Sequence, residues 1–128
     1  MKIMYEKNTK QYVYVCPNCF NKLGNCTCPI LPFTLLQLDK NIWPIIKTLN
    51  EKGYRTDECC EGHVGSCERI YIFFNKRYKS NTPLPEAFSG DMSFIAADIT
   101  GKSIDAKKRK KRQLLNQLSA WANSLEKR

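Results

Sequence analysis

The hydrophobic positions of this chain repeat with two different periods. Short runs rich in β-branched, aromatic and aliphatic residues are typical of strands. Such runs occur at residues 12–15, 33–38, 54–59, 70–74 and 92–99. Two other stretches place apolar residues three and four positions apart, which is typical of a helix with one buried face. These stretches are residues 41–52 and about 105–126.

Polar and special residues mark where the predicted elements begin and end. Asp39 or Asn41 is placed to cap the first helix, and Gly53 stands where a left-handed residue would end it. Residues 75–91 contain two prolines and one glycine and are predicted to form a loop. The pattern therefore predicts an α+β domain, with two helices and a mixed or antiparallel sheet of three to five strands.

Length and composition favour one folded domain over residues 1–128. Within it we expect an N-terminal knuckle at 12–29, an α/β core at 33–100 and a basic amphipathic helix at 103–128. Hydrophobic residues make up 42% of the chain, which is too many for a disordered protein. There is no apolar run of 18 residues and no signal-peptide pattern, so we expect a cytoplasmic protein without membrane contact.

The seven cysteines are unevenly spaced, and their odd number argues against a closed set of disulfides. Cys16, Cys19, Cys26 and Cys28 lie within thirteen residues, and Cys-Pro-Asn-Cys is a knuckle sequence whose amides turn back toward the sulfurs. Four thiolates would fill a tetrahedral shell, so the spacing predicts one structural zinc ion. An iron–sulfur cluster and a redox dithiol remain alternatives.

A second group, formed by Cys59, Cys60, His63 and Cys67, is open to three interpretations. It could bind another ion, supply a ligand to the first cluster, or consist of small buried side chains. Adjacent Cys59 and Cys60 should point to opposite faces of a strand, which argues against both binding one ion. His63 with Glu61 could suggest a catalytic base, but no further catalytic pattern accompanies them. We therefore predict no enzyme activity and no catalytic residues.

The formal charge of +9 is concentrated near the C-terminus, because residues 102–128 hold nine Lys or Arg against two acids. Six consecutive cations fall in the predicted last helix: Lys107, Lys108, Arg109, Lys110, Lys111 and Arg112. Consecutive residues point all round a helix, so they cannot all share one solvated side. We expect this run to fray the helix, to remain solvated, or to contact an anionic partner.

Residues 12–74 resemble small phage and prophage proteins, among them metal-containing anti-CRISPR proteins that inhibit Cas9. The resemblance rests on Tyr-Val-Tyr-Val-Cys-Pro-Asn-Cys, on Cys-Thr-Cys-Pro, and on Gly-Tyr-Arg-Thr-Asp-Glu-Cys-Cys-Glu-Gly-His. It implies a non-enzymatic inhibitor in the bacterial host cell, which binds a Cas9 effector, with or without its guide RNA, and blocks DNA loading or activation. A strongly basic protein would not occupy a basic DNA channel, so binding elsewhere is expected. The alternative is a zinc-containing phage protein that binds nucleic acid through the basic helix.

Overall fold

The computed structural model describes residues 11–29 and 35–128, and these residues form an α+β fold of six strands and two helices. The strands are β1 (Tyr12–Val15), β2 (Leu36–Asp39), β3 (Thr56–Cys60), β4 (Arg69–Phe74), β5 (Ser89–Asp91) and β6 (Phe94–Asp98). The helices are α1 (Trp43–Glu51) and α2 (Ile104–Ser124). The predicted α+β class is confirmed.

The strands form two antiparallel sheets instead of the single sheet expected. β1 pairs with β2, with Tyr12 opposite Asp39 and Val15 opposite Leu36. The other four strands form a sheet in the order β3-β4-β6-β5. The knuckle follows β1 directly, so the small sheet joins the four-cysteine segment to the rest of the domain.

One face of the four-stranded sheet packs into a single hydrophobic core with the two helices. In β4, Ile70, Ile72 and Phe74 are buried, while the alternate residues turn to the opposite face. Helix α1 contributes the stripe that the sequence predicted, and helix α2 adds a second stripe. The buried stripe residues are Ile42, Ile45, Ile46, Leu49, Leu114, Leu118, Trp121, Ala122 and Leu125.

The N-terminus of α1 is capped from elsewhere in the chain, so the prediction of an Asp39 or Asn41 cap was wrong. The N-cap residue is Ile42, which makes no side-chain capping bond. Instead, Oε1 of Glu61 accepts hydrogen bonds from the backbone N–H of Asn41 at 2.7 Å and of Ile42 at 3.2 Å. A carboxylate at this position satisfies orphan donors and suits the positive end of the helix dipole.

Helix α2 is continuous through the run of cations, so fraying, one of the three alternatives, does not occur. Oγ of Ser103 accepts the N–H of Ala106 at 3.0 Å, and Asp105 lies in the first turn. At the other end, Nζ of Lys52 donates to three carbonyl oxygens, those of Ala122, Asn123 and Leu125. Both ends of the helix are therefore satisfied, as a stable helix requires.

Several strand limits differ from the sequence prediction by one to three residues. The largest difference is β5, because residues 75–91 were expected to form a loop throughout, yet Ser89–Asp91 pairs with β6. Gly90 has φ +117, and a Cβ there would collide with the carbonyl of Phe94, so this edge needs glycine. Residues 33 and 34 of the predicted second strand lie outside the described residues. Within the described ranges, no helix is long and apolar enough to cross a membrane.

Candidate metal centre

The structure brings the sulfur atoms of Cys16, Cys19, Cys26 and Cys28 together, with each lying within 4.8 Å of the others. None of these cysteines forms a disulfide. Sulfurs about 2.3 Å from a tetrahedral ion are separated by roughly 3.8 Å. The sulfurs of Cys19 and Cys26 are 3.4 Å apart, so the arrangement is close to that of four ligands around one metal ion.

Backbone amides turn toward the sulfurs, as the Cys-Pro-Asn-Cys sequence predicted. The N–H of Asn18 donates to Sγ of Cys16 at 3.3 Å, and the N–H of Cys28 donates to Sγ of Cys26 at 3.2 Å. Nδ2 of Asn18 also donates to Sγ of Cys28 at 3.3 Å. Asn18 thus connects the two halves of the cluster, and such donors orient metal-bound thiolates and stabilise their charge.

The thiols of the cluster differ in acidity. Burial alone would raise the pKa of Cys16, but backbone N–H groups of Cys19 and Asn18 and the neighbouring thiols lower it to about 7. Burial raises the pKa of Cys26 to about 12, aided by the thiols of Cys19 and Cys16, while the backbone N–H of Cys28 opposes the shift. Only thiolates bind metal, so an ion must displace protons here, and its affinity should fall as pH falls.

The knuckle is attached to the core by the residue that follows Cys19. Phe20 is buried and adopts φ 61, a left-handed conformation unusual for a bulky residue. Its carbonyl oxygen accepts the indole N–H of Trp43 at 2.8 Å, and the guanidinium of Arg55 lies over its ring. Nη2 of Arg55 also donates to the carbonyl of Pro17 at 3.2 Å. Helix α1 and the residue that precedes β3 therefore hold the metal-binding turn in place.

The second group of candidate ligands is rearranged relative to the sequence prediction. Cys59 points inward and packs against the core, whereas Cys60 lies on the opposite face of β3. The metal-binding atoms of Cys60 and His63 lie within 4.8 Å of each other and of Asp39, which the sequence suggested only as a helix cap. Cys67 lies at the exposed end of the following loop. None of these residues belongs to the four-cysteine cluster.

The two adjacent cysteines of β3 also differ chemically. Burial, followed by the charge of Asp39, raises the pKa of Cys59 to about 12, which makes it an unreactive core thiol. Burial also raises the pKa of Cys60 to about 11, although the N–H of Gly62 opposes the shift. Neither thiol has the low pKa of a catalytic nucleophile.

The six cations of α2 divide into two sets. Lys107 and Lys111 turn toward the domain, where they pair with Glu68 at 2.9 Å and with Glu61 at 2.7 Å. The other four have no carboxylate partner among the described residues, and three of them are exposed. We call this second set the free cations of α2: Lys108, Arg109, Lys110 and Arg112.

An open groove of about 790 Å³ runs between α2 and the start of α1. Two of the free cations, Lys108 and Arg112, line it together with Lys111 and His63. Pro44, Ile45 and Leu115 contribute apolar surface. The groove thus presents positive charge beside apolar side chains.

The face of the four-stranded sheet that turns away from the core carries an aromatic cluster. The ring centroids of Phe73 and Phe94 lie 4.3 Å apart, and the ring of Tyr71 lies 5.7 Å from that of Phe73. Phe73 is 41% exposed, an unusual position for such a large apolar side chain. Tyr71 and Phe94 are half-buried, so the cluster forms a small, partly exposed apolar patch.

Searches with this chain against protein-family models, curated proteins and solved structures found no match.

The sequence analysis did not place the side chain of Asn18 at the first cluster or Asp39 beside Cys60 and His63, and it considered Glu61 only as a partner of His63. The sequence could have indicated the role of Asn18, because an amide side chain between two cysteines of a knuckle can donate a hydrogen bond to a sulfur, as the backbone N–H also does. The contacts of Glu61 with Asn41 and with Asp39 span 20 and 22 positions of the chain. No local pattern shows such contacts.

Proposed function

We propose that Cys16, Cys19, Cys26 and Cys28 hold one structural zinc ion. Zinc suits four thiolates in tetrahedral arrangement, and a fully occupied shell leaves no position for a substrate. Because Phe20 contacts Trp43 and Arg55, an ion that holds the knuckle in place would also stabilise the packing of the knuckle against the core.

We further propose that the protein is a non-enzymatic inhibitor that binds a Cas9 effector complex and blocks its DNA loading or activation. The resemblance of residues 12–74 to anti-CRISPR proteins supplies the identity of the partner. The observation that supports binding is the set of free cations on α2, which project from a helix whose two ends are both satisfied. A rigid helix loses little conformational freedom when it docks.

Charge decides which kind of contact such a protein could make. With a formal charge of +9, it would be repelled from a basic channel that holds DNA. The free cations suit an acidic protein patch or the guide RNA. The aromatic cluster of Tyr71, Phe73 and Phe94 offers a second surface, of the type that provides anchors in protein interfaces.

The test is complex formation between the full-length protein and purified Cas9, with and without guide RNA, followed by measurement of DNA cleavage. We expect a complex at micromolar concentration and a loss of cleavage as the inhibitor is added. Replacing Lys108, Arg109, Lys110 and Arg112 with Gln should weaken binding at least about tenfold, since several charge contacts are lost together.

A matched control removes the same amount of charge elsewhere, at the exposed Lys40, Lys76, Lys79 and Lys127. If binding depends on α2, the control variant should bind Cas9 nearly as well as the natural protein. If binding depends on net charge alone, the α2 variant and the control variant should lose the same amount of affinity. Absence of a complex under every condition would refute the proposed partner.

The free cations also favour a second candidate function, which is nucleic-acid binding through α2. If this function is correct, the affinity for random RNA or DNA should fall steeply as salt is added. On duplex DNA, the logarithm of the binding constant should fall by about 0.9 per unit of log salt concentration for each phosphate that is neutralised. Binding to nucleic acid alone, together with no binding to Cas9, would favour this candidate over the first.

A further inference from the structure

The ends of β2 and β3 bring three metal-binding side chains together outside the four-cysteine cluster. Ligand atoms of Asp39, Cys60 and His63 all lie within 4.8 Å of one another. Nε2 of His63 is 3.3 Å from Oδ2 of Asp39. Nitrogen and oxygen ligands at about 2.0 Å from a tetrahedral zinc ion are separated by roughly 3.3 Å. The spacing therefore suits a shared ion as well as a direct hydrogen bond.

The sulfur of Cys60 has the same backbone environment as two sulfurs of the first cluster. It accepts the N–H of Gly62, two residues later, at 3.3 Å. Cys16 and Cys26 each accept the N–H of the residue two positions later, at 3.3 and 3.2 Å. Hydrogen bonds of this type orient thiolates toward a metal and stabilise their charge.

The loop after Cys60 is held in a conformation that presents its side chains to Asp39. Gly62 has φ +83, and a Cβ at this position would lie 2.5 Å from Cδ1 of Ile99, so only glycine fits. Oδ2 of Asp39 also accepts the N–H of Glu61 at 3.0 Å. The side chain of Asp39 is only 10% exposed. These contacts hold the side chains of Asp39, Cys60 and His63 close to one another without a metal ion.

Cys67, at the end of the same loop, is the nearest candidate for a fourth ligand. The N–H of His63 donates to the carbonyl of Cys67 at 2.6 Å, which closes the loop. The sulfur of Cys67 lies near that of Cys60 but outside the group of three ligand atoms that lie within 4.8 Å of one another. Its thiol donates to the carbonyl of Arg69 at 4.0 Å, so it would have to turn inward to reach an ion. A pair of Asp39 with His63 would by itself explain two of these side chains, but it would not account for the sulfur of Cys60 lying within 4.8 Å of both.

We propose that Asp39, Cys60 and His63 bind a second zinc ion, with Cys67 as the fourth ligand. Asp39 ends β2 and Cys60 ends β3, so this ion would connect the small sheet that carries the knuckle to the four-stranded sheet. Its role would be to fix the position of the first metal site relative to the core.

The test is the zinc content of the full-length protein after loading with zinc and removal of the excess, measured by native mass spectrometry and elemental analysis. We expect two zinc ions per chain in the natural sequence and one in Cys60→Ser and in His63→Ala. Cys59→Ala is the matched control, because this neighbouring thiol faces the core, and it should keep two ions. Circular dichroism checks that each variant is folded.

Should Cys60→Ser or His63→Ala fail to fold, Asp39→Asn provides a milder change, since its amide oxygen can still accept the N–H of Glu61. Its second zinc equivalent should bind at least about tenfold more weakly, as read by competition with a chelator. One zinc per chain in the natural sequence would refute the second site. The second site would also be refuted if folded Cys60→Ser retained two zinc ions, or if Asp39→Asn bound its second zinc equivalent as tightly as the natural protein does. Neither measurement involves Cas9, so this proposal stands or falls separately from the proposed function.

Discussion

Glu61 is a buried carboxylate that joins three parts of the molecule. It accepts the N–H groups at the start of α1, the side-chain amide of Asn41 at 3.0 Å, and the ammonium of Lys111 at 2.7 Å. Burial alone would raise the pKa of Glu61, but hydrogen bonds from Lys111 and Asn41 hold it below the ordinary value of 4.5. The ionised form is therefore preferred in the folded state.

Replacing Glu61 with Gln should lower the free energy of unfolding at pH 7 by roughly 3 kcal/mol, because Lys111 would be left largely buried without its partner. Because the pKa of Glu61 is lower in the folded state than in the unfolded state, its ionised carboxylate stabilises the fold at pH values above 4.5. This stabilisation is lost as the pH falls through the pKa that Glu61 has in the folded protein. The difference between Glu61→Gln and the natural protein should therefore shrink below pH 4.5. Urea unfolding at pH 7 and at about pH 3 would measure it.

The exposed Glu86 provides a control for this experiment. Glu86→Gln should change stability by no more than about 0.5 kcal/mol at either pH. An equally small effect of Glu61→Gln at neutral pH would show that the contacts of Glu61 contribute little.

At the scale of elements, α2 shows how a helix can carry many cations near its positive end. Asp105 lies in the first turn, and Ser103 caps it. Lys107 and Lys111 are paired with carboxylates outside the helix. These contacts offset the unfavourable interaction between the cations and the helix dipole.

Replacing Ser103 with Ala should destabilise the protein by about 1 kcal/mol, because the N–H of Ala106 loses its acceptor. Ser103→Gly should cost only a few tenths of a kcal/mol, since glycine tolerates an N-cap position and leaves the amide open to water. Thermal unfolding of both variants tests this difference. If Ser103→Ala were as stable as the natural protein, the hydrogen bond from Ala106 to Ser103 would make no net contribution to the stability of the fold.

On the scale of the whole molecule, the knuckle, α1 and β3 form one connected unit through Phe20, Trp43 and Arg55. Loss of the first metal ion should therefore affect the core and not only residues 12–29. Core packing alone leaves a domain of this size only marginally stable, so the contribution of a metal cross-link is large relative to the total.

Cys26→Ser should remove the ion from the four-cysteine cluster and lower the melting temperature by roughly 10 °C or more, as expected for a loss of about 3 kcal/mol. Added zinc should stabilise the natural protein but have a smaller effect on this variant. Cys59→Ala, which changes a thiol outside both clusters, serves as the comparison. A melting temperature of Cys26→Ser equal to that of the natural protein would contradict a structural role for the cluster.

The sequence by itself determined the features that depend on neighbouring residues. Hydrophobic periodicity located both helices and most strands, because burial on one face imposes a period of 3.6 or 2 on the chain. The spacing from Cys16 to Cys28 identified the four-cysteine cluster, since a turn of two residues already places two sulfurs side by side. Alternation along β3 also predicted that Cys59 and Cys60 would separate.

Only the tertiary structure decided the features that join distant parts of the chain. It divided the strands into two sheets, placed Glu61 at the start of α1, and brought Asp39 to Cys60 and His63. It also separated Lys107 and Lys111, which are paired, from the free cations of α2. These contacts arise because packing of the core fixes where each element lies, and a local sequence pattern contains no information on which distant side chain then comes within reach.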